Sequence, residues 1–120
     1  MGTATDLPHP DRDAIELSSV LFALSDPARL EVVRELREGP IDAAACTSLD
    51  PATPKSTRSH LMKVLREAGV IRNEPNGRHR TLTLRRDDLD SRFPGLLDAV
   101  LGAPGPAPAS ASVSKEPARP

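Results

Sequence analysis

The sequence predicts a mainly α domain that includes a two-stranded β-hairpin near its end. Three observations predict it. Apolar residues recur at helical spacing in successive blocks up to Ala68. The period then switches to two on the far side of an Asn76-Gly77 pair. A length of 120 residues, 38% apolar and 28% charged, suits one domain around a thin core.

Each element has its own signal. Residues 1–10 contain Pro8 and Pro10 without periodicity and read as a loose arm, with the folded domain expected over 11–101. From Asp13 the pattern turns helical: Leu17, Val20, Leu21 and Leu24 fall at i, i+3, i+4 and i+7. Asp11 and Asp13 suit the positive end of that helix. Asp26-Pro27 restarts the chain as N-cap and first helical residue. Leu30, Val32, Val33 and Leu36 carry this helix's apolar face, and Gly39-Pro40 stops it. The Ala-rich stretch 42–49 predicts a further short helix, after which Pro51 and Pro54 bracket a linker.

Thr53-Pro54 repeats the cap-and-proline signal, and a helix is expected from Pro54 to Ala68, ending at Gly69. Leu61, Met62, Val64, Leu65 and Ala68 form its inner side. At about 100° per residue its outer side carries Ser56, Ser59, Lys63 and Arg66, flanked by Lys55 and His60. Arg58 falls near the apolar edge, so its stem should lie along the core with its head reaching out. Val70-Ile71, the turn at Pro75-Asn76-Gly77, and Arg80, Leu82 and Leu84 alternating with Thr81 and Thr83 read as the hairpin. Asn-Gly suits a turn that needs φ > 0 at both central residues. Asp87, Asp88 and Asp90 open another helical region, and Pro94 starts or kinks a helix carrying Leu96, Leu97, Val100 and Leu101. The 13 prolines of the chain concentrate in its ends. Residues 102–120, with little apolar bulk, read as a disordered tail that cannot offset its own ordering entropy.

The net charge of −1 conceals a segregated distribution. Residues 1–52 hold 4 Lys+Arg against 10 Asp+Glu, and residues 87–120 hold 3 against 5. Between them, residues 53–86 hold 9 Lys+Arg against 2 Asp+Glu, a net +7. A located positive field of this kind suits phosphate backbones, or else a solvated face balanced across the fold. Phe22 and Phe93 are the only aromatic residues, which argues against stacking platforms for single strands. A single cysteine excludes an intramolecular disulfide. Seven scattered glycines form no phosphate-binding loop, and no nucleophile–base set lies outside the basic block, so enzymatic activity is not expected. The N-terminus has no secretory pattern and no apolar run is long enough to span a bilayer, so the expectation is a soluble cytoplasmic protein.

Three helices followed by a two-stranded β-wing is the winged helix-turn-helix order, in which the helix before the wing can enter a major groove. Here that helix is the centre of the basic block. Its Lys55, Ser56, Thr57, Arg58, Ser59, His60 and Lys63 fit base edges and phosphates. The hairpin tip, Arg78, His79 and Arg80, fits a wing on the backbone.

These residues carry a family resemblance. Leu24-Ser25-Asp26-Pro27-Ala28-Arg29-Leu30 resembles the start of the second helix in ArsR-type repressors. The segment Lys55 to His60 is similar to that family's recognition helix, and Lys63-Val64-Leu65-Arg66-Glu67-Ala68-Gly69 to its exit. The likeness covers about residues 13–101. It implies a homodimeric, double-stranded-DNA-binding transcriptional repressor, often relieved by a ligand such as a metal ion, with an imperfect palindromic operator. The first and last helices form the family's dimer interface, which implicates Leu17, Val20, Leu21, Leu24, Leu96, Leu97, Val100 and Leu101. The same residues also read as ordinary core. The alternative is a winged-helix module that grips an acidic protein partner.

The chain departs from the metal-sensing members. Their paired cysteines are replaced by Cys46 alone, and 86–101 offers Asp87, Asp88, Asp90 and Asp98 but no histidine. A soft-metal site needs three or four Cys or His ligands in reach. No metal and no cofactor is therefore expected. The aspartates read as helix-start charges, and Cys46 as a small buried hydrophobe or a redox sensor. Where the family commonly has a histidine after the position of His60, this chain has Leu61.

Overall fold

The computed structural model describes residues 7–46 and 48–102. Of the tail expected over 102–120, Gly102 closes the last helix and the rest lies outside the described residues, as do residues 1–6 of the arm. The helices are α1 (Leu17–Leu24), α2 (Pro27–Leu36), α3 (Lys55–Glu67), α4 (Arg86–Arg92) and α5 (Leu96–Gly102). The strands are β1 (Ile41–Asp42), β2 (Ile71–Asn76) and β3 (His79–Leu84). They form one antiparallel sheet in the order β1-β3-β2. No helix among the described residues is long and apolar enough to cross a membrane.

Local chemistry explains most boundaries. The Asp26 carboxylate accepts the Arg29 N–H at 3.1 Å and Pro27 occupies the first turn of α2, as the sequence predicts. The start of α1 differs: residues Arg12–Ala14 form a separate 3-10 turn, and α1 begins at Leu17 behind an uncapped Glu16. Asp11 and Asp13 therefore belong to that turn and not to α1. On α3, Pro54 itself stands at the N-cap position, one residue later than Thr53-Pro54 suggests. That helix ends in a Schellman motif. The Gly69 N–H donates to the Arg66 carbonyl and the Val70 N–H to the Leu65 carbonyl, each at 3.0 Å. Gly69 has φ +86°, and a Cβ there would stand 2.6 Å from the Ile15 side chain. Glycine is needed for conformation and for space at once.

Two expectations about β structure and its neighbourhood are corrected. The Ala-rich stretch is not a helix. Ile41 and Asp42 pair with Leu82 and Thr81 as a third strand, and Ala43–Ala45 make only a 3-10 turn, on an Asp42 cap. The sheet is thus three-stranded, with the two-stranded wing as its longer part. In the wing, Asn76 pairs with His79, so the turn residues are Gly77-Arg78. Gly77 has φ +63° and, among the described residues, no non-glycine residue has a positive φ, which is the Gly-X pattern of a II′ turn and not the Asn-Gly I′ pattern.

The core joins α1, α2, α3, the sheet, α4 and α5 around Val20, Val33, Leu65, Ile71, Leu82, Leu89 and Leu97, all buried. Cys46 and Leu49 belong to it too. The loop that carries them is tied to α2, because the Ser48 N–H donates to the Glu35 carboxylate at 2.9 Å and the Ser48 hydroxyl also meets it.

Candidate nucleic-acid interface

Helix α3 is two-faced. Leu61, Met62, Leu65 and Ala68 are buried, while Lys55, Ser56, Thr57, Ser59, His60 and Lys63 are exposed. Short hydroxyls between the cations leave the helix backbone approachable, as groove insertion requires. Arg58 is half-buried and folds back: its guanidinium donates to the Asp50 carbonyl at 3.1 Å and to the Thr53 carbonyl at 3.4 Å. It braces the turn that precedes α3 instead of reaching out.

Arg66 is a larger departure. Helical spacing puts it on the outer side, yet it is only 6% exposed. The reason is non-local. Residues 7–10 cross over it, and the Pro8 carbonyl accepts from its guanidinium at 2.6 Å. The arm expected to be loose is thus tethered over 7–10, with the His9 ring accepting the Asn73 N–H at 3.0 Å and the Pro10 carbonyl accepting from Arg85 at 2.7 Å.

The wing presents its three basic residues in different states. Arg78 is exposed in the turn. His79 is exposed, with Nδ1 3.2 Å from the Asp42 carboxylate, a link back to β1. Arg80 is half-buried and donates across the hairpin to the Asn73 side-chain oxygen at 2.6 Å and its carbonyl at 2.8 Å. Between α3 and the wing lies a cleft of about 650 Å³, lined among others by Lys55, Arg58, Ser59, Lys63 and Arg80.

The acidic residues near the C-terminus are engaged elsewhere. Asp88 meets Arg12 at 2.7 Å, Arg85 at 2.8 Å and Arg72 at 3.7 Å. The Arg12 hydrogen bond, followed by the bond and charge of Arg85, holds its carboxyl below the usual aspartate range despite opposing desolvation. Arg86 pairs with Asp90 and Asp98 at 3.4 and 2.5 Å. Among the described residues no group of three or more His, Cys, Asp or Glu could hold a metal ion. Cys46 is buried, and desolvation, which comes first, raises its pKa.

The residues implicated in a dimer divide. Val20, Leu24, Leu97 and Leu101 are buried within the chain. Leu17 and Leu21 are 45% and 46% exposed, and Leu96 and Val100 are half-buried. Sequence reasoning missed Phe22, which is 64% exposed on α1 with Arg29 over its ring at 5.2 Å. An aromatic flanking the apolar stripe of α1 was the available signal.

No protein-family model matches the chain. The HTH-type transcriptional regulator NmtR of Mycobacterium tuberculosis is 30% identical over 97 residues, which cover 78% of this chain and 74% of that protein. The crystal structure of an ArsR family transcriptional regulator aligns with a TM-score of 0.58 at 24% identity, over 69% of this chain and 90% of that one. A possible transcriptional regulator for arsenical resistance aligns with a TM-score of 0.54 at 26% identity, over 70% and 84%.

Proposed function

Because the chain belongs to the ArsR-type winged helix-turn-helix transcriptional regulators, we propose that it binds its operator as a homodimer, α3 lying in the major groove and the wing on the flanking backbone. One observation carries this reading. Among the described residues, Lys55 and Lys63 on the exposed face of α3, and Arg78 at the wing tip, have no carboxylate partner. Cations with no internal counter-charge are available to phosphates. Ser56, Ser59 and His60 read base edges, and Lys55, Thr57, Lys63 and Arg78 hold the backbone, while His79 stays linked to Asp42 of β1. Arg58 and Arg80, already bonded within the chain, position the helix start and the wing.

Leu17, Leu21 and Phe22 of α1, with Leu96 and Val100 of α5, supply the dimer surface, since they are the large apolar side chains of those helices left with area to bury. Two-fold symmetry then makes the operator an imperfect palindrome, with half-site centres about 10–10.5 bp apart or a multiple of it. The protein acts as a cytoplasmic repressor without catalytic activity. The test is titration of duplex DNA against salt. Affinity falls by about 10³–10⁵ between about 50 and 200 mM if roughly 6–10 phosphates are neutralised. A flat response, or binding of an acidic protein with duplex DNA ignored, would remove the reading. For the dimer, Leu21→Asp leaves the fold intact and shifts sedimentation to the monomer. An unchanged sedimentation coefficient would reject α1 as the contact.

A further inference from the structure

The cleft between α3 and the wing has a wall that neither element supplies. Leu7 lines it together with Lys55, Ser59, Lys63 and Arg80. Three hydrogen bonds hold this part of the arm in place: Pro8 carbonyl to Arg66, His9 ring to the Asn73 N–H, and Pro10 carbonyl to Arg85. The middle one satisfies an edge, because β2 is an outer strand in the order β1-β3-β2 and its Asn73 N–H points away from β3, toward His9.

Arg66 is served poorly for a buried cation. Its side chain is 8% exposed, its carboxylate neighbour Glu67 stands 4.0 Å away, and its close acceptor is a neutral carbonyl. An anionic oxygen would bring a full opposite charge where the carbonyl brings a dipole. A DNA strand whose two adjoining grooves are read by α3 and by the wing must run across the space between them. Leu7 stands in that space and Pro8 covers Arg66 on its wall, while His9 and Pro10 tie the arm down beside it.

We propose that residues 7–10 form a displaceable latch over the DNA-binding face, and that a backbone phosphate replaces the Pro8 carbonyl on Arg66 when duplex DNA binds. The latch rests on the DNA-binding reading and adds to it an internal competitor, which lowers apparent affinity by the fraction of molecules in which it is closed. It is also sensitive to acid. His9 accepts the Asn73 N–H through Nε2, which it can do only while that nitrogen carries no proton. The charged groups around the ring are Arg72, Glu74, Arg66 and Arg85. Burial first, then Arg72, holds the His9 pKa below its ordinary value, with Glu74 opposing. A pKa depressed in the docked state means that docking is favoured above the undocked pKa and weakens as pH falls through it. The latch therefore holds above about pH 6.5 and loosens below.

The test uses the full chain and its His9→Ala variant, each titrated with random-sequence duplex DNA at two pH values either side of about 6.5. Amide hydrogen exchange at Asn73 is followed with and without the duplex. At the higher pH the variant binds about two- to tenfold tighter than wild type, the yield of one lost hydrogen bond. The two proteins differ only at position 9, so the latch is read from the difference: acid tightens binding more in wild type than in the variant. Duplex also removes exchange protection at Asn73. Equal or weaker binding by His9→Ala, with Asn73 still protected in the complex, makes the arm a brace for the wing and overturns the latch while the DNA reading stands. If neither protein binds duplex at low salt, the DNA reading fails and the latch falls with it.

Discussion

The α3–wing face and the cluster around Asp88 draw on the same basic stretch of sequence, but they carry their charge differently. Arg72, Arg85 and Arg86 count toward the +7 of residues 53–86, yet each has a carboxylate within the fold. Lys55, Lys63 and Arg78 count equally and have none among the described residues. Net charge therefore overstates the field offered to a ligand. What distinguishes a binding cation from a structural one is whether the chain already answers it. The cluster ties the turn at Arg12, the strand β2 and the helix α4 to one carboxylate, so it stabilises. The α3 face is left unanswered, so it can bind.

The sharpest way to break this division is to remove the shared anion. Asp88→Ala leaves Arg85, whose side chain is 2% exposed, buried without its carboxylate. Removing one partner of a buried pair costs about 3–5 kcal/mol. Urea denaturation should show a lower midpoint with the slope unchanged. Acid should act in the same direction. Because the Asp88 pKa is depressed in the folded state, its contribution is present above the ordinary aspartate value and is lost as pH falls below about 4. A stable Asp88→Ala protein with impaired DNA binding would mean that the cluster belongs to the interface.

The second prediction concerns the unanswered face. Ser59→Ala and His60→Ala should cost about 1–3 kcal/mol on the preferred duplex and much less on random sequence, because base contacts specify while phosphate contacts position. Both side chains are exposed, so folding stability should move by no more than about 0.5 kcal/mol. Paired titrations on the two duplexes, with thermal melts of each variant, separate the two effects. If the variants bind both duplexes as wild type does, α3 is not the element that reads sequence.

What the sequence made legible follows the range of the interactions involved. The Asp26-Pro27 cap, the exit of α3 at Gly69 and the exposed hydroxyl-and-cation face of α3 are written within a few residues of themselves. Strand β1 is not. Two residues, Ile41 and Asp42, become a strand only through pairing with Leu82 and Thr81, some forty residues on, whereas Ala43-Ala44-Ala45 locally favours a helix. Arg66 departs from its helical direction for the same reason: spacing sets where its side chain leaves α3, but the arm that covers it comes from residues 7–10. Arg80 lay on the expected strand, and its engagement by Asn73 depends on a hairpin register set by the turn at Gly77.

The smallest effect is the most diagnostic, because it compares two arginines two residues apart. Arg78 is exposed in the turn, and among the described residues no carboxylate answers it. Arg78→Ala should leave stability unchanged within about 0.5 kcal/mol. It should weaken preferred and random duplexes alike and reduce the salt slope by about one, the signature of a single lost phosphate contact. Arg80→Ala should behave otherwise. Its guanidinium donates to both the side-chain oxygen and the carbonyl of Asn73, the residue whose N–H donates to His9. Losing those bonds should lower stability by about 1 kcal/mol or more and leave the salt slope closer to wild type. Titrations of both variants on both duplexes at three salt concentrations, with urea midpoints, decide it. If Arg80→Ala lowers the slope as Arg78→Ala does and costs no stability, then a cation bonded within the hairpin still reaches a phosphate, and internal partners do not divide binding cations from structural ones.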